Sequence, residues 1–239
     1  MTDARSCLIV ALDVPERAAA VSIVRRLAGH VGCFKVGLEI FVREGPGLVE
    51  EIRGAGEKVF LDLKLHDIPN TVAGAVRSAC RLGIDMMTLH AAGGRRMLEA
   101  ARDAACGSDK PPLLLAVTAL TSLSDDDGRS IGISVPIGEW ALRLAELASA
   151  SGVPGVVASP LELPLLHGRF GSGLRYVTPG IRPAGASAED QARTAEPGQA
   201  ILAGADFIVV GRPILRAPDP AAAADRIVEE IASALARRP

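Results

Sequence analysis

The chain is poor in aromatic residues. One Trp, one Tyr and five Phe make up 3% of 239 residues. That leaves little with which to stack single-stranded bases. Charge of one sign is also lacking: 26 basic against 28 acidic residues give a net −2, which disfavours a nucleic-acid coat or a basic membrane-surface binder. Mean hydropathy is +0.28, yet the longest uncharged stretch, residues 147–161, is broken by Ser, Gly and Pro. A spanning helix needs about 20 mostly apolar residues, so no transmembrane segment is expected. The apolar run 6–12 is short and lacks a cleavage-like sequel, so a cytoplasmic protein is expected. Only four cysteines occur (Cys7, Cys33, Cys80, Cys106), with no C-x-x-C spacing. They read as small buried hydrophobes rather than as a zinc or redox site. The dinucleotide pattern G-x-G-x-x-G and the phosphate loop G-x-x-x-x-G-K-[ST] are both missing.

What is present is one alternating pattern. Aliphatic, near-continuously apolar runs at 7–13, 33–38, 58–65, 84–90, 113–118, 155–159, 175–178 and 206–211 read as strands buried on both faces. Between them, 17–28, 72–82, 139–150 and 219–237 carry apolar residues at helical spacing. Asp219-Pro220 suits the start of the last helix. Eight strand–helix units imply a single α/β domain over 1–239, a (β/α)8 TIM barrel, with a doubly wound open sheet as the competitor. The long gap 121–138 begins with the polar Asp125, Asp126, Asp127 and Gly128 and reads as a surface loop, a candidate lid.

A barrel collects its chemistry at the C-terminal ends of its strands. Those ends carry Asp13, Lys35, Asp62, Lys64, His90, Thr118, Ser159, Thr178-Pro179-Gly180 and Gly211-Arg212. Lysine is scarce: four of the 26 basic residues, namely Lys35, Lys58, Lys64 and Lys110. Lys35 and Lys64 fall inside strand-like runs, and a desolvated lysine can give up its proton where arginine cannot. Strand alternation turns Phe60, Asp62 and Lys64 to one face. With Lys35 and Asp67 they make an array of two anions and two cations, the alternative being a structural ion-pair network. Thr71 reads on spacing alone as a helix N-cap, His66 as pointing away from the charged face, and His90 as structural. The loops bearing Gly180, Arg182, Gly211 and Arg212 follow the last two strands, where barrels often bind phosphate.

The stretch Asp62 to Thr71, D-x-K-x-x-D-I-P-N-T, resembles the signature of the orotidine 5′-phosphate decarboxylase family in its bacterial stand-alone form. In the family's order come Ala11-Leu12-Asp13, Phe34-Lys35-Val36-Gly37, Leu120-Thr121-Ser122, Val177 to Pro183, Asp190-Gln191 and Val210 to Pro213. The resemblance implies decarboxylation of orotidine 5′-phosphate to uridine 5′-phosphate, with no cofactor and no metal. It makes Lys64 the cation and proton donor at C6, with Asp62, Asp67 and Lys35 completing the catalytic set. Substrate binding falls to Asp13, Lys35, Thr71, Thr121, Ser122, Pro179, Gly180, Arg182, Gln191, Gly211 and Arg212. It further implies a homodimer in which Asp67 and Thr71 serve the other chain's site, and no nucleic-acid or membrane partner. The reach of Arg193 is open, because this chain has Asp190-Gln191-Ala192-Arg193 where many relatives have Asp-Gln-Arg-Arg. The alternatives are a magnesium-dependent sugar-phosphate decarboxylase or aldolase sharing D-x-K-x-x-D, and a catalytically dead nucleotide-binding barrel.

Overall fold

A computed structural model describes residues 3–183 and 193–238. Eight strands run in chain order: β1 Leu8–Ala11, β2 Cys33–Gly37, β3 Val59–Leu65, β4 Met86–His90, β5 Leu113–Val117, β6 Gly155–Val157, β7 Arg175–Thr178 and β8 Phe207–Val210. Each pairs in parallel with the next, and β1 pairs with β8 through Ile9↔Val209, which closes the barrel. Every predicted apolar run contains one strand, and the open-sheet competitor falls.

Alternation divides each strand between two cores. Outward residues such as Val10, Phe34, Leu61, Leu89, Ala116 and Ile208 pack against the helices. Inward residues Ile9, Ala11, Cys33, Phe60, Met86, Leu115, Val177 and Val209 form a separate apolar plug inside the barrel. At about 25 cal/mol per Å² of apolar area removed from water, these two clusters are the main source of stability.

The four predicted helices form as Arg17–Leu27, Pro69–Arg81, Ile137–Ala150 and Pro220–Leu235. The last begins as expected, with the Asp219 carboxylate accepting from the Ala221 and Ala222 amides. Two local expectations are corrected. Thr71 is not an N-cap: Ile68 holds that place, Pro69 opens the helix and Thr71 is its third residue. The polar start of 121–138 is not a loop but the helix Asp125–Ser130. Ser124 and Asp127 cap it reciprocally, and three acidic residues in its first turn suit the positive helix end. Beside it, Ala119, Ile137 and Ala141 form a small cluster with Leu123, Ile133 and Trp140. Of the cysteines, Cys7 and Cys33 are buried, but Cys80 is only partly so and Cys106 is exposed. Among the described residues no helix is long and apolar enough to cross a membrane.

Candidate active site

The inward face of the strands changes character within one step of the alternation. On β2 Cys33 lies in the plug and Lys35 above it; on β3 Phe60 lies in the plug and Asp62 above it. The result is a cavity of about 230 Å³ at the C-terminal mouth, floored by Ala11, Phe60, Val157, Val177 and Val209. Its walls carry Asp13, Lys35, Asp62, Lys64, Thr121, Pro179, Gly180, Arg182, Gly211 and Arg212.

Asp62 is the hub of the charged wall. Lys64 Nζ donates to its Oδ1 at 2.8 Å and Thr88 Oγ1 to the same oxygen at 2.9 Å. Lys35 Nζ stands 3.4 Å from Asp62 Oδ2 and 3.6 Å from Asp13 Oδ1. Burial pushes the Asp62 carboxyl up. The ammonium charges of Lys35 and Lys64 and the two hydrogen bonds outweigh it, so its pKa lies below the ordinary aspartate value.

Lys64 is the only non-glycine with a positive φ among the described residues, at 50°. That left-handed conformation costs a non-glycine residue about 1–2 kcal/mol. The pairing of β3 with β4 slips between Leu61 and Leu65 at the same place. Thr88 Oγ1, on β4, accepts the Lys64 amide at 2.8 Å while donating to Asp62. One buried hydroxyl therefore holds both the strained backbone of Lys64 and its anionic partner. His66, one residue beyond the end of β3, stacks on His90, the rings 5.3 Å apart, rather than pointing away from the mouth. Burial first, then the charges of His66 and Lys64, lowers the His90 pKa and favours the neutral ring.

The opposite wall shows why glycine stands at Gly180 and Gly211. Gly180 has φ +80°, and a Cβ on Gly211 would lie 3.1 Å from Asp13 Oδ2. The segment after β7 is zipped to the chain beyond residue 192: Arg182 N donates to Ala195 O at 2.9 Å and Ala195 N to Gly180 O at 3.2 Å.

With that geometry in view, the chain can be set beside known proteins. The profile described as "Orotidine 5′-phosphate decarboxylase / HUMPS family" matches residues 6–227. This chain belongs to that family. Among its relatives, the orotidine 5′-phosphate decarboxylase of Syntrophotalea carbinolica is 53% identical over 98% of both chains. That of Halorhodospira halophila is 53% identical over 95% of this chain and 96% of its own. The crystal structure of the Lactobacillus acidophilus orotidine 5′-phosphate decarboxylase superposes with TM-score 0.85 at 42% identity, covering 94% of this chain and 98% of that one.

Of the residues singled out from the decarboxylase-family motifs, ten line the one cavity. Ser122, Asp67 and Thr71 are exposed and do not line it. Asp67 instead accepts the Ile68 amide at 2.6 Å through Oδ1. Gln191 lies outside the described residues. The sequence reading missed Thr88, although it sits on the inward parity of β4 two residues before His90. It also missed Glu162, a buried acid after β6 that no motif marks. Glu162 Oε2 accepts the Ser159 amide at 2.9 Å, and its Oε1 pairs with Arg193. Burial raises the Glu162 pKa above the ordinary value, against the opposing pull of the Arg193 charge.

Proposed function

We propose that the chain removes CO2 from orotidine 5′-phosphate and releases uridine 5′-phosphate, without metal or organic cofactor. Family membership narrows the substrate class. The observation that carries the reading is the Lys35–Asp62–Lys64 array facing Gly180, Arg182, Gly211 and Arg212 across one small cavity.

In this reading Arg182, Arg212 and, from beyond the described residues, Gln191 hold the phosphate, with Pro179, Gly180 and Gly211 allowing close backbone approach. Asp13 and Lys35 take the ribose hydroxyls. Thr121 and Ser122 hydrogen-bond the pyrimidine, and 121–138 closes over it as a lid. The bond from C6 to the carboxylate breaks and its electron pair stays on C6, where no carbonyl is placed to delocalise it. The Lys64 ammonium stabilises that charge electrostatically and then transfers a proton to C6; the neutral amine regains a proton from water. Asp62 lies beside the departing carboxylate, which disfavours the bound acid, and it fixes the Lys64 ammonium.

Each site is completed by a second copy of the chain, through Asp67 of the partner subunit and Thr71 of the partner subunit. The exposure of Asp67 and Thr71 in the single chain supports this, as do the exposed apolar Leu38, Val42 and Ile68 in the segments following β2 and β3. The setting is cytoplasmic and the partner is the small substrate, not nucleic acid or membrane.

The test is ultraviolet-monitored loss of orotidine 5′-phosphate by the purified chain with EDTA present. Conversion to uridine 5′-phosphate is expected. A folded chain that gives none, but converts sugar phosphates once magnesium is added, would replace this reading. A folded chain that binds the nucleotide and converts neither would be the dead barrel.

A further inference from the structure

Arg193 joins three of the loops that surround the mouth. Its guanidinium pairs with Glu162, 3% exposed, in the loop after β6. Its Nη2 donates to Leu120 O at 2.8 Å and its Nε lies 3.4 Å from Thr121 O, both in the loop after β5. Arg193 itself stands two residues before Ala195, whose backbone is bonded to Gly180 and Arg182 in the loop after β7. A short path of bonded groups thus runs from Arg182 and Gly180 through Ala195 and Arg193 to Thr121. Both of its ends line the same cavity, from loops two strands apart in the barrel.

The chemistry of the pair suits a fixed strut. A carboxylate as buried as Glu162 needs its partner, because an uncompensated buried charge is strongly disfavoured. The guanidinium fork has enough donors to satisfy Glu162 and both carbonyls together, which a lysine ammonium on a flexible stem does not reproduce. The Ser159 amide holds the other Glu162 oxygen at 2.9 Å, so the anchor end does not swing.

We propose that Arg193, seated on Glu162, is a positioning residue that sets the spacing between the Thr121 wall and the Gly180–Arg182 wall. A substrate gripped at its phosphate then presents its ring to Thr121 in register. The proposal rests on the functional reading above, in which those walls bind ring and phosphate. A strut that only stabilised the fold would matter equally to any substrate. A strut that sets register matters most to a substrate gripped at both ends.

The experiment compares the parent, Arg193→Leu, Arg193→Lys and Glu162→Gln on orotidine 5′-phosphate and on orotidine, which lacks the phosphate, below the melting temperature of each variant. Arg193→Leu should lose about thirtyfold in kcat/KM on the nucleotide and less than about threefold on the nucleoside, the size expected for lost charge-assisted hydrogen bonds. Arg193→Lys and Glu162→Gln should show the same asymmetry at smaller size, and they carry the test if the leucine variant fails to fold. Equal losses on both substrates, or no loss, would overturn the proposal. Amide hydrogen exchange separates it from the functional reading, since it needs no turnover. Arg193→Leu should speed exchange in both 119–123 and 180–182, and faster exchange on one side alone would count against the strut. Should the parent itself fail to decarboxylate the nucleotide, the functional reading falls, and the exchange result alone decides whether the strut exists.

Discussion

The two ends of the barrel interior are built on the same inward-facing positions and obey opposite rules. Lower down, Ile9, Cys33, Phe60, Met86 and Leu115 fill the centre with apolar side chains. One alternation step further along the strands stand Lys35, Asp62 and Thr88. The plug is stable because every atom has a packed neighbour. The mouth is tolerable because each charge has a partner: Asp62 touches both lysines, and Lys35 also reaches Asp13. On the proposed function, a change of a few ångströms along a strand separates positions where truncation should remove stability from positions where it should remove chemistry.

The sharpest way to break that division is Lys64→Ala. Turnover should fall by at least about a thousandfold, the scale of losing the main electrostatic stabiliser, while the melting temperature moves little. Retention of more than a tenth of the activity would remove Lys64 from its role. The same variant asks whether the mouth is closed by a second copy. Mixing inactive Lys64→Ala and Asp67→Asn chains should restore about a quarter of parental activity, since half of the random dimers are mixed and each has one intact site. No recovery after confirmed subunit exchange would argue against shared sites.

The plug should give the mirror image. Leu115→Ala should cost about 2–5 kcal/mol in denaturant unfolding, from lost burial plus the cavity left behind. Activity per folded molecule should stay near parental, and a large fall in kcat without lost stability would dissolve the distinction. Between the two regions lies Thr88, fully buried yet polar. Thr88→Val, which keeps the shape and removes the hydroxyl, should lower kcat about ten- to a hundredfold, with KM less affected and Thr88→Ser recovering most of it. An unchanged kcat in the valine variant would mean that the Lys64 backbone holds its geometry without help.

The smallest effect concerns pH. The folded-state pKa of Asp62 is lowered. Its ion pairs therefore contribute stability that is present above the unfolded value, about 3.9, and is lost as pH falls through the folded value. The parent should exceed Asp62→Asn in unfolding free energy at neutral pH, and the gap should narrow on acidification below about pH 4. A gap independent of pH would show that the carboxylate charge is not what the pairs use.

The contrast between plug and mouth was partly legible from residue order. Alternation placed Phe60 and Asp62 on one face, and the scarcity of lysine drew attention to Lys35 and Lys64. Short-range rules failed where longer-range contacts intervened. Ser124 and Asp127 turned a polar stretch into a capped helix, because capping depends on a side chain three residues away rather than on average polarity. Lys64 does reach the face that alternation assigns it, but with a left-handed backbone that no alternation rule foresees and an amide bonded to a hydroxyl 24 residues further along. Arg193 stands out in the Asp190-Gln191-Ala192-Arg193 run, but nothing local signals its pairing with Glu162, 31 residues away.

The sequence by itself determined the parallel barrel and the face on which the charges gather, because a period of two and the burial of both strand faces are local consequences of side-chain order. Only the tertiary structure decided which charges meet, what holds Lys64 in its left-handed conformation and where Arg193 reaches. Those outcomes depend on distances across strands and loops, and such distances exist only once the barrel has closed.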